Sequence, residues 1–356
     1  MANNNLNAQE WVEHYSKITD YNILLMLQAA MKENRADVLK LLIPKAKEYD
    51  SIFSFFVNLA ITQTRIDVMN LLLANGLNIN KKINEKINEM ETSSTLLHIA
   101  ASGGFLEAVK WLLDNGAEID ARDEPNNSTP MHYAAQLGRI DVIRFLKERG
   151  ADIYARNSGD YSPMDIAASI SNKTESIKCL KELGYDVNAK DKYGETAIHK
   201  AAMFGKTESI KCLKELGADV NAKNNDGETP MFSAVKNYQV ENIKCLAALG
   251  ADVNAKNNEG NSILFLATLG EEDTEDKTEC IKCLAALGAD VNAKNNGGLT
   301  PIFGAVASGL ITTLKCLKEL GANMNAESNK GVTPLNFAVN LGDTKAAEWL
   351  RANGAH

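Results

Sequence analysis

The sequence is poor in several things that define other protein classes. Aromatic residues make up only 6% of its 356 positions. Six cysteines in a chain this long are too few for a disulfide scaffold, so a reducing compartment, the cytoplasm, is the expected location. No apolar run approaches the ~18 residues of a membrane helix. The opening MANNNLNAQEW lacks a basic stretch followed by an apolar one, so no ordinary signal peptide is expected; a non-classical secretion signal would leave no such trace. The closing RANGAH is not a prenylation box. There is no basic excess either: 38 Lys plus Arg against 46 Asp plus Glu gives a net charge of −8. That balance argues against a general nucleic-acid or acidic-membrane binder. What remains is ordinary for a folded protein, with 45% apolar and 24% charged residues, enough to bury a large core. Length alone suggests two or three domains.

The chain repeats itself. ESIKCLKELG stands at 175–184 and again at 208–217, and IKCLAALGADVNAKNN at 243–258 and 281–296. A Thr/Ser-Pro-aliphatic motif, or a close variant, begins at Thr95, Thr129, Ser162, Thr196, Thr229, Ser262, Thr300 and Thr333. The successive spacings are 34, 33, 34, 33, 33, 38 and 33. Each unit obeys the same local rules. In 223–254, Asn224-Asn225-Asp226-Gly227 is turn chemistry. Thr229 caps a helix and Pro230 suits its first turn. Met231, Ala234 and Val235 share one face of it. Asn237-Tyr238-Gln239 interrupts, and a second helix carries Val240, Ile243, Leu246 and Leu249 until Gly250 stops it. The extended Ala251–Asn254 leads into the next turn.

This pattern of turn glycine, Thr-Pro-Leu-His, Ala-Ala, Leu-Leu and Gly-Ala-Asp-Val-Asn-Ala resembles the ankyrin repeat. The match is strong over residues 93–356. It is degenerate over 20–80, where Ala29-Ala30 and Leu59-Ala60 each precede an Asp-Val-aliphatic helix. About ten units result. The expected fold is therefore all-α: an ankyrin-repeat solenoid of helix-turn-helix units joined by hairpin-like turns, spanning 20–356 as one body. Residues 1–19, with Trp11, Val12 and Tyr15, read as a capping helix. The polar stretch 81–92 reads as a flexible loop, and the acidic stretch 271–276 as a loop extension at the groove rim. Near-identical units and an Asn/Lys-rich composition also resemble ankyrin proteins of intracellular bacteria. Some of those act as effectors in the host-cell cytosol.

No catalytic chemistry survives the repeat register. Cys179, Cys212, Cys245, Cys283 and Cys316 hold one slot, separated by a repeat thickness of roughly 10 Å. That exceeds both shared zinc ligation and disulfide reach. Cys280 reads as a surface replacement, aligned with Ser176 and Ser209. His98, His132 and His199 occupy the fourth position of the Thr-Pro-Leu-His slot, and in the family that histidine is structural. No phosphate-binding loop or metalloprotease helix is present. The chain is expected to be no enzyme and to need no cofactor and no metal.

The resemblance implies a protein-binding module. Its partner, a protein of unknown identity, would meet side chains that stacking leaves free. These are Leu137, Tyr161, Lys192, Tyr193, Lys200, Met203, Phe204, Lys236, Asn237 and Tyr238, and the tip residues Asn225, Asn258 and Asn329. Grouped exposed aromatics are what interface anchors look like; Phe204 suits either that role or the core. The chain is expected to be monomeric, with no membrane insertion and no nucleic acid bound. The family resemblance also implies a second reading, in which Asn188, Asn221, Asn254 and Asn292 are substrates of an asparaginyl hydroxylase.

Overall fold

The computed structural model describes residues 6–18, 22–87, 90–170, 174–270 and 274–356. The chain divides into two compact units, Met1–Pro163 and Met164–His356. Both are built from helix pairs in which first helices pack on first helices and second on second.

In the first unit the pairs are α2 (Ile23–Lys32) with α3 (Ala36–Ala46), α4 (Asp50–Thr62) with α5 (Ile66–Ala74), α6 (Leu96–Gly103) with α7 (Leu106–Asp114), and α8 (Pro130–Leu137) with α9 (Ile140–Glu148). Helix α1 (Ala8–Ile18) packs on α3 as a preceding second helix would. Its Trp11 is fully buried and donates Nε1–H to Glu33 Oε2 at 2.9 Å. An apolar ring thus closes the end of the core while its polar edge stays satisfied.

Residues 81–92 do not form the expected loop. Strand β1 (Lys82–Ile87) pairs antiparallel with β2 (Met90–Thr95), Lys82 opposite Thr95 and Ile87 opposite Met90. The sequence hid this because the only apolar residues of Lys82–Ile87 are Ile83 and Ile87, four apart, which leaves no every-other-residue alternation to mark a strand.

The second unit carries α10 (Pro163–Ser169), α11 (Thr174–Glu182), α12 (Ala197–Met203), α13 (Thr207–Glu215), α14 (Pro230–Lys236), α15 (Val240–Ala248), α16 (Ile263–Ala267), α17 (Glu275–Ala286), α18 (Pro301–Ala307), α19 (Ile311–Glu319), α20 (Pro334–Leu341) and α21 (Thr344–Ala352). The acidic stretch is only partly a loop extension. Thr274 Oγ1 accepts the Lys277 N–H, so Glu275 and Asp276 are the first turn of α17, where negative charge suits the helix dipole. Residues 271–273 lie outside the described residues.

Helix starts follow the sequence rule. Thr129 is extended (φ −97°, ψ 165°) and Pro130 opens α8. His132 Nδ1 accepts the Thr129 N–H at 3.1 Å and lies 2.8 Å from its hydroxyl. Its protonated Nε2 then donates to the Tyr161 carbonyl at 2.9 Å, in the following turn. His98 and His199 reach the carbonyls of Ser128 and Glu228 in the same way. One imidazole therefore caps a helix and ties its unit to the next, the packing role the slot implied. Burial pushes His132 down to about 4 and lowers His98 and His199 too, because a charged ring there would have no water.

Candidate functional site

The side chains expected to meet a partner fall in both units. In the first, Leu137 ends α8 and is 36% exposed, whereas Tyr161 is half-buried and its carbonyl is occupied by His132. In the second, the turn before α12 carries Lys192 and Tyr193, and the end of α12 carries Met203 and Phe204. Tyr193 is 55% exposed and Phe204 49%, which resolves the open reading of Phe204: it is not core. Met203 is half-buried. Lys192 Nζ stands 5.0 Å over the Tyr193 ring, a cation–π contact on an exposed tip.

Lys200 does not belong with them. It is buried, its ammonium 2.8 Å from Asp191 and also paired with Glu195. Burial pulls its pKa down, but the two carboxylates outweigh that and hold it above the usual lysine range. A slot that leaves the helix face outward in a lone unit is turned onto the acidic turn of its own finger here. In the next unit Lys236 takes over this pairing, reaching Glu228 at 2.7 Å while staying half exposed. Asn237 is exposed and donates to the Ser233 carbonyl at 3.0 Å. Tyr238 is half-buried and holds φ +51°, at the position where α12 is followed by Gly205.

The tip asparagines are corrected as well. Asn258 donates its backbone N–H to the Asp226 carbonyl and its Nδ2 to the Asn225 carbonyl, both at 2.9 Å. Asn225 docks on Lys192 and Tyr193, Asn296 on Asn258 and Glu259, and Asn329 on Asn296 and Gly297 in the same geometry. These side chains zip neighbouring tips together, so they are not loose contacts. Each sits against the glycine of the preceding tip. A Cβ on Gly227 would come within 2.3 Å of Asn258 Oδ1, and that glycine holds φ +77°.

Asn188, Asn221, Asn254 and Asn292 form a second ladder. The Asn221 Nδ2 donates to the Gly250 carbonyl at 3.1 Å while its Oδ1 accepts the Asp252 N–H at 2.8 Å. Asn188, Asn254 and Asn292 repeat this with the next unit. Asn80 in the first unit and Asn325 in the second, which the sequence reading passed over, do the same. A third rail joins lysines: Nζ of Lys190, Lys223, Lys256 and Lys294 donates to a carbonyl of the following finger at 2.7–3.1 Å. The period of these residues was readable; their partners were not.

All six thiols are free. Cys280 is fully buried, against the expectation of a surface replacement, and its burial pushes the thiol up to about 12. Ser176 and Ser209, with which it aligns, are buried too. The slot faces the preceding unit; at the same slot Asn242 Nδ2 donates to the Ala201 and Ala202 carbonyls. Among the described residues no group of three His, Cys, Asp or Glu could hold a metal. Among the described residues no helix is long and apolar enough to cross a membrane. Exposed aromatics are not confined to the middle of the sequence: Tyr49 and Phe55 stand at 55% and 49% in the first unit.

Comparison with curated proteins gives no significant match. The family profile for ankyrin repeats (3 copies) matches residues 81–157, 164–257 and 264–356, about three quarters of the sequence. The chain belongs to the ankyrin-repeat family.

Proposed function

We propose that this protein is a non-catalytic module that binds a protein partner through the finger and first-helix ends of its second unit. The set is Lys192, Tyr193, Met203, Phe204, Lys236, Asn237 and Tyr238; in the first unit, taken by itself, Leu137 holds the slot of Phe204. The observation that carries the reading is the exposure of Tyr193 and Phe204 at the two ends of α12. Large rings held on a rigid element, in a family that works by protein interaction, have the character of interface anchors. Capture from a cell lysate identifies the partner, and binding is then measured with purified components. Tyr193→Ala with Phe204→Ala should abolish binding. Lys211→Ala with Lys214→Ala, on α13, should not. Unaltered affinity in the aromatic pair overturns the assignment.

The second reading concerns Asn188, Asn221, Asn254 and Asn292, whose exposed side chains a hydroxylase could reach. Both ends of each carboxamide are engaged by the next unit, so modification requires local opening. Intact mass after exposure to such an enzyme decides: no gain of oxygen ends the idea. We also read α2–α5 as two degenerate units, bringing the count to about ten. A role as an effector scaffold in a host cytosol rests only on the similarity of the units and their Asn/Lys-rich composition.

A further inference from the structure

Among the described residues six asparagines tie one finger to the next turn by two bonds each: Asn80, Asn188, Asn221, Asn254, Asn292 and Asn325. Each donates Nδ2–H to a glycine carbonyl at 3.0–3.2 Å. Each also accepts, on Oδ1, the backbone N–H two residues beyond that glycine at 2.7–3.0 Å. In Ala117-Glu118-Ile119-Asp120 the same slot holds an aspartate. The register sets the Gly150 carbonyl and the Asp152 N–H opposite it. Only the second is met. The Asp152 N–H is shared between Asp120 Oδ1 at 3.2 Å and Oδ2 at 3.3 Å. Among the described residues nothing donates to the Gly150 carbonyl. A carboxylate ordinarily shortens such a bond. Here the bond is longer than in all six asparagine joints. An ionised Asp120 has no proton to give Gly150, and an oxygen turned towards that carbonyl meets another acceptor.

Protonation supplies what is missing. A carboxylic acid carries one O–H and one free carbonyl oxygen, the donor and acceptor of a carboxamide. Neutral Asp120 can therefore donate to Gly150 and accept from Asp152 at once. Its surroundings favour the proton. Partial burial raises Asp120 above the usual aspartate range, and the Asp152 carboxylate on the next finger adds to this; the Asp152 N–H and Arg122 pull the other way without cancelling it. The remaining charges at the joint are already engaged or exposed. Arg122 donates to the Asn127 and Arg156 carbonyls, Asp152 Oδ1 accepts the Tyr154 N–H, and Arg149 of α9 is paired with Asp114 of α7 at 2.7 Å. Glu118, on the same finger, is exposed.

We propose that Asp120 is a proton-operated latch between its own finger and the next. Ionised, it leaves the joint loose; protonated, it closes both bonds of the ladder. The contribution appears as pH falls through the raised value of Asp120 and grows towards the ordinary carboxyl range, opposite in sign to that of a histidine buried neutral. The latch lies in the first unit and is independent of the α12 assignment.

The test is native-state hydrogen exchange of the full chain, read at the Asp152 amide from pH 7 to pH 4 and corrected for intrinsic rates. Asp120→Asn holds the latch closed. It should slow exchange about fivefold at pH 7, the effect of one partly solvated hydrogen bond, and the advantage over wild type should shrink as pH falls towards 4. Asp120→Ala can close neither bond, so it should exchange faster than wild type, by a ratio that widens on acidification. Ratios to wild type are the readout because His132 loosens the same unit as pH falls. An Asp120→Asn advantage that is absent at pH 7 or constant with pH overturns the proposal. So does an Asp120→Ala ratio that stays flat, because a purely structural role for the side chain would not follow its proton.

Discussion

Replacing Gly227 by alanine tests the tip ladder directly, with Gly250→Ala as its control. Both glycines hold positive φ, +77° and +91°, so both substitutions carry a left-handed cost of about 1 kcal/mol. Only Gly227 has a neighbour in the way. Its new Cβ would stand 2.3 Å from Asn258 Oδ1 and 2.9 Å from the Asn258 backbone nitrogen, whereas nothing lies within 4 Å of the same atom on Gly250. Asn258 must then move, and its bonds to Asp226 and Asn225 are lost. At about 1 kcal/mol or less for each partly solvated bond, Gly227→Ala should cost about 2–3 kcal/mol in total. The two compact units need not unfold together, so one denaturation midpoint is not enough. Urea unfolding should be paired with native-state hydrogen exchange at the Asn258 amide, which Gly227→Ala accelerates and Gly250→Ala leaves protected relative to the global change. Equal losses in the two variants, with equal exchange at Asn258, would refute the steric lock.

His132 stays neutral in the folded chain down to about pH 4, while an unfolded histidine takes its proton near 6.5. Its contribution is complete above pH 6.5 and is lost as pH falls towards 4, about 2 kcal/mol at pH 5; His132→Gln should flatten that part of a stability–pH curve, and an unchanged slope would count against it. Lys200→Met leaves Asp191 and Glu195 facing each other in the core and should cost about 3 kcal/mol in urea unfolding, far more than Lys192→Met on the exposed tip. Alkylation of the native protein at pH 8 should label Cys245 and Cys283, which are half-exposed, well before Cys280; mass mapping that finds Cys280 first would contradict its burial.

The sequence by itself determined the unit. Thr129-Pro130 opening α8, Gly250 ending the α15 turn and the spacing of Ile243 and Leu246 are local instructions, acting within a few residues, and periodicity multiplies them along the chain. That is why the helix-turn-helix unit and its register could be read without coordinates, while the structural role of His98, His132 and His199 came from the resemblance to the ankyrin repeat. Asp160 in place of a turn glycine also behaves as its chemistry allows, at φ +64°. Tertiary structure decided which faces the neighbouring unit covers. Asn258 and Asn225 look like solvated tip residues until the adjacent finger supplies their acceptors. Cys280 looks exposed until the preceding unit is stacked against it. Lys200 and Lys236 sit on α12 and α14 of adjacent units, yet one is buried between Asp191 and Glu195 and the other is half exposed on Glu228. The Lys200 and Lys236 pairs form within their own repeats, whereas the contacts of Asn225, Asn258 and Cys280 join segments about 33 residues apart, and a pattern read along one segment carries only half of those.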